Sequence, residues 1–170
     1  MKRRTVLAAG GLAVLGTGGY LYSWLSHSRT IPDGMTVETL YVTQGVFTEQ
    51  QYEIPGVRET ESLLISDERA TQELFVESEP IQQFVSETDF EQSYVVVVDH
   101  RRSSSWDLYL DTIERISPDE LSVTAVAQNW PPEQDDDLGV HVLLVRITDE
   151  EQPVPDTVTT TVTDRERPQL

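Results

Sequence analysis

The feature that most limits the possible fold is a series of short apolar runs separated by turn-forming residues. The run Val95–Val98 is continuous and short, which is typical of a central strand buried on both faces. Residues Leu121 to Ala127 instead alternate, which is typical of a strand with one buried face. The chain has no internal repeat and no strand–helix–strand rhythm, which disfavours a doubly wound fold. We therefore predict a mainly β (α+β) fold, either an antiparallel β-sandwich or a part-open barrel.

Other segments of the same type extend this prediction along the chain. Their apolar residues are interrupted by Gly, Pro, Asn and Asp, so each is predicted as a short strand. These segments are Glu38–Thr43, Val46–Glu53 (a hairpin partner across Gln44-Gly45), Glu59–Ile65, Trp106–Ile116, Val140–Ile147 and the weaker Val158–Val162. Within 106–116, Ile113 and Ile116 break the alternation, which predicts a bulge or a strand end.

The stretch 67–87 has a different period. Ser66 is a plausible N-cap residue with acidic residues after it, and Pro80 suits the first turn of a second helix. Ile81, Phe84 and Val85 then follow at helical spacing. We predict one or two short helices around 67–87 that cover a sheet.

Charge divides the 170-residue chain into two unequal parts. Residues 1–30 carry four basic and no acidic side chains, whereas residues 31–170 carry eight arginines and all 30 acidic residues, a balance of −22. A polyanionic nucleic acid requires Lys and Arg, so it is excluded as a predicted partner. Because the chain has no cysteine, disulfides, thiol nucleophiles and thiolate metal sites are excluded as well. The length suits a single domain.

The basic part resembles an export signal. Arg3 and Arg4 are followed by any residue and then by Val6 and Leu7, which resembles the twin-arginine translocation signal. The uncharged stretch after it is about 20 residues, near the length of a membrane-spanning helix. We predict an uncleaved anchor that leaves the N-terminus in the cytoplasm and the domain outside. A cleaved signal, which would give a secreted protein, is the alternative.

The acidic part is typical of salt adaptation. The chain has one lysine against eleven arginines, and its acidic residues are spread over every segment. At ~1 M salt the Debye length is ~3 Å, so such a charge repels itself little. This composition resembles that of proteins from extremely halophilic archaea. The predicted organisation is a signal or anchor at 1–30, a linker at 31–37, an acidic β-rich domain at 38–164 and a flexible tail at 165–170.

The strongest candidate for chemistry is the segment Asp99-His100-Arg101-Arg102, which precedes three serines. It could bind an anion or activate a serine, since activation needs a histidine oriented by a carboxylate. The serines lack the Gly-x-Ser-x-Gly elbow, so an ordinary hairpin loop is the competing interpretation.

Three weaker candidates involve other residue types. His100 and His141 lack the spacing of a zinc site and are expected at the core edge or the surface. The acidic segment 131–137 lacks the spacing of an EF-hand loop. Trp106 and Trp130 could stack on a small ligand, although aromatic residues at strand ends more often serve core or edge packing. No catalytic residue, metal or cofactor is predicted.

The order of elements after Leu63 resembles one known family. This order looks like the C-terminal domain of PrcB-type protease-complex stability proteins. It consists of a strand, a helical stretch ending at Thr88-Asp89-Phe90, the strand Ser93–Asp99, a hairpin into Trp106–Ile116, the strand Leu121–Gln128 and a final pair of strands. The resemblance covers about 100 residues and implies a binding or accessory module. It carries over no active-site residue.

These observations predict a membrane-anchored extracytoplasmic module that binds or supports another envelope protein and is not an enzyme. Two alternatives stay open. One is a small envelope hydrolase or metal-dependent enzyme centred on Asp99, His100, His141 and the serines at 103–105. The other is a small-ligand-binding module that uses Trp106 and Trp130.

Overall fold

The computed structural model describes residues 29–43, 60–67, 78–103, 106–129 and 138–165. Within these ranges the chain forms seven strands and one helix, which confirms the mainly β prediction. The elements, in chain order, are β1 (Met35–Val42), β2 (Thr60–Ile65), α1 (Glu79–Ser86), β3 (Ser93–Ser103), β4 (Trp106–Ser117), β5 (Glu120–Asn129), β6 (Leu138–Asp149) and β7 (Thr157–Arg165).

The strands form two sheets, one with the order β1-β6-β3-β2 and one with the order β4-β5-β7. All neighbouring strands are antiparallel except β5 and β7, which are parallel. This parallel pair arises because the chain leaves β5, crosses to the other sheet as β6, and returns as β7. In the described ranges no ladder joins the two sheets, and this arrangement agrees with the predicted β-sandwich.

The main core lies between the two sheets. Alternate residues of β3 and β6, such as Val96 and Val145, face alternate residues of β4 and β5, such as Leu110 and Val123. The continuous run Val95–Val98 is completely buried, as predicted for a central strand. Its odd-numbered residues face away from the other sheet and belong to a second apolar cluster.

Helix α1 covers this second cluster on the outer face of the four-stranded sheet. Ser78 is the N-cap, Pro80 lies in the first turn, and Ile81 and Val85 are buried, as the periodicity predicted. Arg146 of β6 holds the other end of the helix: it donates hydrogen bonds to the Phe84 carbonyl and to Thr88 Oγ1. A cation at a helix C-terminus also favours the helix dipole. The first part of the predicted helical stretch, 68–77, lies outside the described residues.

Strand β4 contains the predicted irregularity. Its register against β5 shifts between Leu110 and Thr112. The shift turns Ile113 into the core, whereas Ile116 is 57 % exposed. Thr30 pairs with the edge of β4 at this point: its N–H donates to the Asp111 carbonyl (3.0 Å), and the N–H of Ile113 donates to the Thr30 carbonyl (2.9 Å).

The turn before β1 contains a glycine that suits its backbone conformation. Gly34 has a φ of +85°, a left-handed conformation that favours glycine. Strand β1 then begins at Met35, inside the predicted linker 31–37. Three predicted segments lie outside the described residues: the hairpin partner Val46–Glu53, the export segment with Arg3, Arg4, Val6 and Leu7, and residues 166–170 of the tail. In the described part of the chain, no helix combines the length and apolar character needed to span a membrane.

Candidate functional site

His100 and His141 come together inside the sandwich. They lie directly opposite each other on the neighbouring strands β3 and β6. Both belong to the face that Val98 and Leu143 present to the other sheet, because residues two apart share a face. Their exposed fractions are 4 % and 2 %. Of the two expected positions, core edge or surface, the surface is therefore excluded, and both histidines are buried.

Polar side chains from several strands surround the pair. His100 Nδ1 lies 2.8 Å from Thr60 Oγ1 of β2, and His141 Nδ1 lies 2.7 Å from the Tyr41 hydroxyl of β1. The rings of Tyr41 and His141 are nearly parallel, with an interplanar angle of 5° and centroids 6.1 Å apart. Across the sandwich, Asp107 Oδ1 lies 3.3 Å from the same hydroxyl. We call Tyr41, Thr60, His100, Asp107 and His141 the Tyr–His cluster.

The Tyr41 hydroxyl determines how protons are arranged in this cluster. The pKa of Tyr41 is raised far above its usual value by burial, by the charge of Asp107 and by the hydrogen bond that the Tyr41 hydroxyl makes with Asp107. The phenol therefore stays protonated. When it donates to Asp107, Nδ1 of His141 donates to the phenol oxygen; when it donates to His141, Nδ1 is the acceptor. Tyr109 also donates to Asp107, at 3.0 Å. The cluster can hold either tautomer of His141.

Asp99 is not part of this arrangement. It is buried, at 3 % exposure, but it belongs to the outer face of the four-stranded sheet because neighbouring strand residues point in opposite directions. Its neighbours in the ladder are Glu61 on β2 and Val142 on β6. A carboxylate that orients His100 is therefore not supplied by Asp99. The nearest carboxylate in the Tyr–His cluster is Asp107, which acts on His141 through Tyr41.

The interpretation of residues 99–102 as a hairpin loop is wrong. All four lie within β3, whose pairing with β6 continues to Ser103 and Leu138. Arg101 is half-buried on the outer face of the same sheet. Arg102 is paired in the ladder opposite Gly139, and its side chain lies outside the described residues, as do the side chains of the three serines.

Of the two tryptophans, the structure describes Trp106, which lies at the same end of the sandwich as the histidines. Trp106 begins β4, is half-buried and pairs with Asn129; its carbonyl lies 3.4 Å from the Tyr41 hydroxyl. Trp130 lies outside the described residues, and so does the acidic segment 131–137 considered for calcium. Of the predicted ligand-binding residues, the structure thus places Asp99, His100, Arg101, Arg102, Trp106 and His141 at one end, on two different faces.

Sequence reasoning missed Tyr41, Thr60 and Asp107. Tyr41 follows the alternation of β1 and would be expected in the core, but nothing in the sequence links it to a histidine 100 residues later. That link exists only because β1 and β6 pair with Tyr41 opposite Leu143.

Two clefts lie at the opposite end of the sandwich. One, of about 310 Å³, is lined by Asp33, Arg115, Asp149 and Glu151, among others. Arg115 is fixed there by hydrogen bonds to the carbonyls of Pro118 and Pro153 and by an ion pair with Asp149 at 2.5 Å. Among the described residues, no group of three or more His, Cys, Asp or Glu side chains is arranged to hold a metal ion.

Tyr94 lines a second cleft, of about 260 Å³, beside the first. Its side chain is 1 % exposed, and its hydroxyl makes no hydrogen bond with the described residues. Burial raises the pKa of Tyr94 to about 12, with Asp149 adding to the shift and Arg115 opposing it.

In comparisons with known proteins, no family model matches the chain, and neither a curated protein nor a solved structure matches it.

Proposed function

We propose that this protein is a salt-adapted extracytoplasmic β-module, held at the membrane by residues 1–30, that binds or supports another protein of the cell envelope. The N-terminus lies in the cytoplasm and the acidic domain outside, or the domain is secreted if the signal is cleaved. The sequence supports this proposal through its division into a basic apolar segment and a domain of charge −22.

The observation that carries the binding role is the burial of the reactive side chains. His100 and His141 are almost inaccessible, and Tyr41 remains protonated beside Asp107. The two described clefts lie at the other end of the sandwich. An arrangement of this kind favours recognition through the surface of the domain over chemistry in an open site.

Export is tested with the Arg3→Lys/Arg4→Lys variant of the full chain, expressed in a halophilic host. The twin-arginine pathway requires the arginine pair, so this variant is expected to remain in the cytoplasmic fraction, whereas wild type fractionates with membranes. A matched Arg101→Lys variant leaves the signal intact and is expected to fractionate like wild type. Unchanged export of the double variant contradicts this part of the proposal.

Partner binding is tested by cross-linking the full chain in intact cells, isolating it in molar salt, and repeating the capture with the identified protein as bait. One envelope protein recovered in both directions supports the module. The absence of any reciprocal partner contradicts it.

An enzymatic role is the second candidate, because the structure brings His100, His141, Tyr41 and Asp107 together. If the chain hydrolyses an ester or peptide substrate in molar salt, and His141→Ala abolishes turnover without lowering the unfolding midpoint, the enzyme replaces the binding module. A small ligand at Trp106 and Trp130 is the third candidate; it predicts quenching of tryptophan fluorescence that Trp106→Phe reduces.

A further inference from the structure

Strand β7 is the edge of the three-stranded sheet and pairs on one side only, with β5, in the described part of the chain. A strand at a sheet edge presents unpaired N–H and C=O groups, and proteins block such edges with charges, proline, bulges, short length or a covering segment. The four edges of this sandwich differ in how they are blocked.

Three of the edges carry such a device. Strand β1 has the exposed Glu38 at its centre, and β2 is only six residues long and includes Glu61. Strand β4 has two register shifts and is bridged by Thr30 at one of them. Each of these features discourages the addition of another strand.

In the described part of the chain, residues 157–163 of β7 carry none of them, and the charged residues of this strand, Asp164 and Arg165, lie at its end. Its pairing with β5 is uninterrupted over nine residues, from Thr157 to Arg165. The stretch 157–163 consists only of threonine and valine, with Val158 and Val162 packed against the core and Thr157, Thr159, Thr161 and Thr163 exposed. In a domain with 30 acidic residues, seven consecutive uncharged residues on an open edge stand apart from the rest of the surface.

We propose that the β7 edge is a docking site for an extended segment of an envelope partner, which adds to the three-stranded sheet as a fourth strand. This inference rests on the proposed function and names the surface that performs it. Strand addition derives its affinity from main-chain hydrogen bonds and its specificity from side chains on alternate positions.

The charges at the two ends of the stretch define the partner's chemistry. Asp156 precedes it and Asp164 follows it, and both are exposed. A segment of about seven β-branched or small polar residues with Lys or Arg at each end places a cation near each carboxylate. The overall charge of the domain favours the same sign of partner.

The same charges argue against a second copy of this chain. Antiparallel pairing of two β7 strands centred on Thr160 keeps the core faces continuous. It also sets Asp156 of one copy against Asp164 of the other at both ends. Directly opposed like charges destabilise a strand pair, so self-pairing is disfavoured where the basic segment is favoured.

The test uses the full chain in molar KCl and a synthetic peptide of alternating threonine and valine with a lysine at each end. Hydrogen exchange is measured with and without the peptide. About half of the β7 amides point away from β5, and these are expected to exchange quickly in the free protein and slowly with peptide. A peptide with N-methyl groups along its outward edge is expected not to protect them, and one with glutamate ends is expected to bind more weakly.

Matched variants separate β7 from the other edges. Thr161→Lys places a charge on β7 and is expected to weaken the lysine-ended peptide roughly tenfold or more, which corresponds to about 1.4 kcal/mol. Thr36→Lys places the same charge at an exposed threonine of edge strand β1 and is expected to leave the affinity unchanged. Equal unfolding midpoints of the two variants exclude a folding defect as the cause.

Several results overturn the inference. The first two concern the peptide: it does not bind, or it protects β1 or β2 instead of β7. The third is slow exchange of every β7 amide in the free protein, which would mean that another segment of the chain covers the edge. The fourth is a dimer, seen in sedimentation, that Thr161→Lys dissociates. If reciprocal capture finds an envelope partner that Thr161→Lys still binds, the docking site is wrong and the proposed function stands. If the peptide protects β7 but no envelope partner exists, the function is wrong and the site stands.

Discussion

Two tyrosines in the same sandwich core predict opposite outcomes for one chemical change. Tyr94→Phe and Tyr41→Phe each remove a single phenolic oxygen. The Tyr94 hydroxyl is buried and makes no hydrogen bond with the described residues, whereas the Tyr41 hydroxyl lies 2.7 Å from His141 Nδ1 and 3.3 Å from Asp107 Oδ1. The pair therefore isolates the value of hydrogen bonding from that of ring packing.

The magnitudes follow from the partners of each oxygen. A buried hydroxyl without a hydrogen bond costs about 1–3 kcal/mol in proteins, so Tyr94→Phe is expected to raise the free energy of unfolding by about 1 kcal/mol. Tyr41→Phe loses a hydrogen bond and also leaves His141 Nδ1 buried without that partner. We expect it to lower the free energy of unfolding by about 2 kcal/mol. The two variants should differ by about 3 kcal/mol.

The assay is reversible urea unfolding in molar KCl, because urea leaves the ionic strength constant while the protein unfolds. Midpoints are compared at equal slopes, so that a change in midpoint reports stability. A loss of 1 kcal/mol or more in Tyr94→Phe would mean that the hydroxyl has a partner, such as an ordered water, and would refute the reasoning. A neutral Tyr41→Phe would refute the structural role of the Tyr–His cluster.

Three further predictions concern salt, pH and charge burial. The urea midpoint of the wild-type domain should rise steeply from dilute buffer to molar KCl, because screening weakens the self-repulsion of the −22 domain; a flat response contradicts salt adaptation. The free energy of unfolding should fall as pH rises from 10 towards 12. The pKa of the Tyr94 phenol is near 10 in the unfolded chain and about 12 in the folded one, so the stability that the neutral phenol contributes is present below pH 10 and is lost between pH 10 and 12. Alkaline titration followed by circular dichroism should show a shallower fall in Tyr94→Phe. Arg115→Ala should lower the free energy of unfolding by about 3 kcal/mol in the urea assay, because it leaves Asp149 nearly buried without its cation, whereas the double variant Arg115→Ala/Asp149→Asn should recover part of the loss.

Much of the fold could be predicted from local periodicity. The structure confirms three such predictions: the buried run Val95–Val98, the helical spacing of Ile81 and Val85, and the break at Ile113. Each of them depends only on which side chains of a single strand or helix are buried. Bulges are detectable because they shift the apolar alternation by one residue. The parallel pairing of β7 with β5 was not predictable in this way, because it depends on β6 crossing to the other sheet.

The candidate site was much harder to predict, and the reason is the period of a strand. Asp99 and His100 are adjacent in sequence, yet they lie on opposite faces of the sheet. His100 and His141 are distant in sequence, yet they are direct neighbours across a ladder. A motif written as consecutive residues is informative in a turn or loop, where side chains can converge, and misleading within a strand.

This geometry also affects where specificity can lie in a small sandwich. The two sheets use their facing side chains for the core, and α1 with Arg146 covers the outer face of one of them. The Tyr–His cluster, although rich in titratable groups, draws its side chains from five of the seven described strands, and its two histidines are almost inaccessible. Recognition by the described residues is therefore expected at strand edges and at the ends of the sandwich. Among the described edges, β7 is the one with seven consecutive uncharged residues and an uninterrupted ladder, so we infer that its sequence of threonine and valine serves a partner strand.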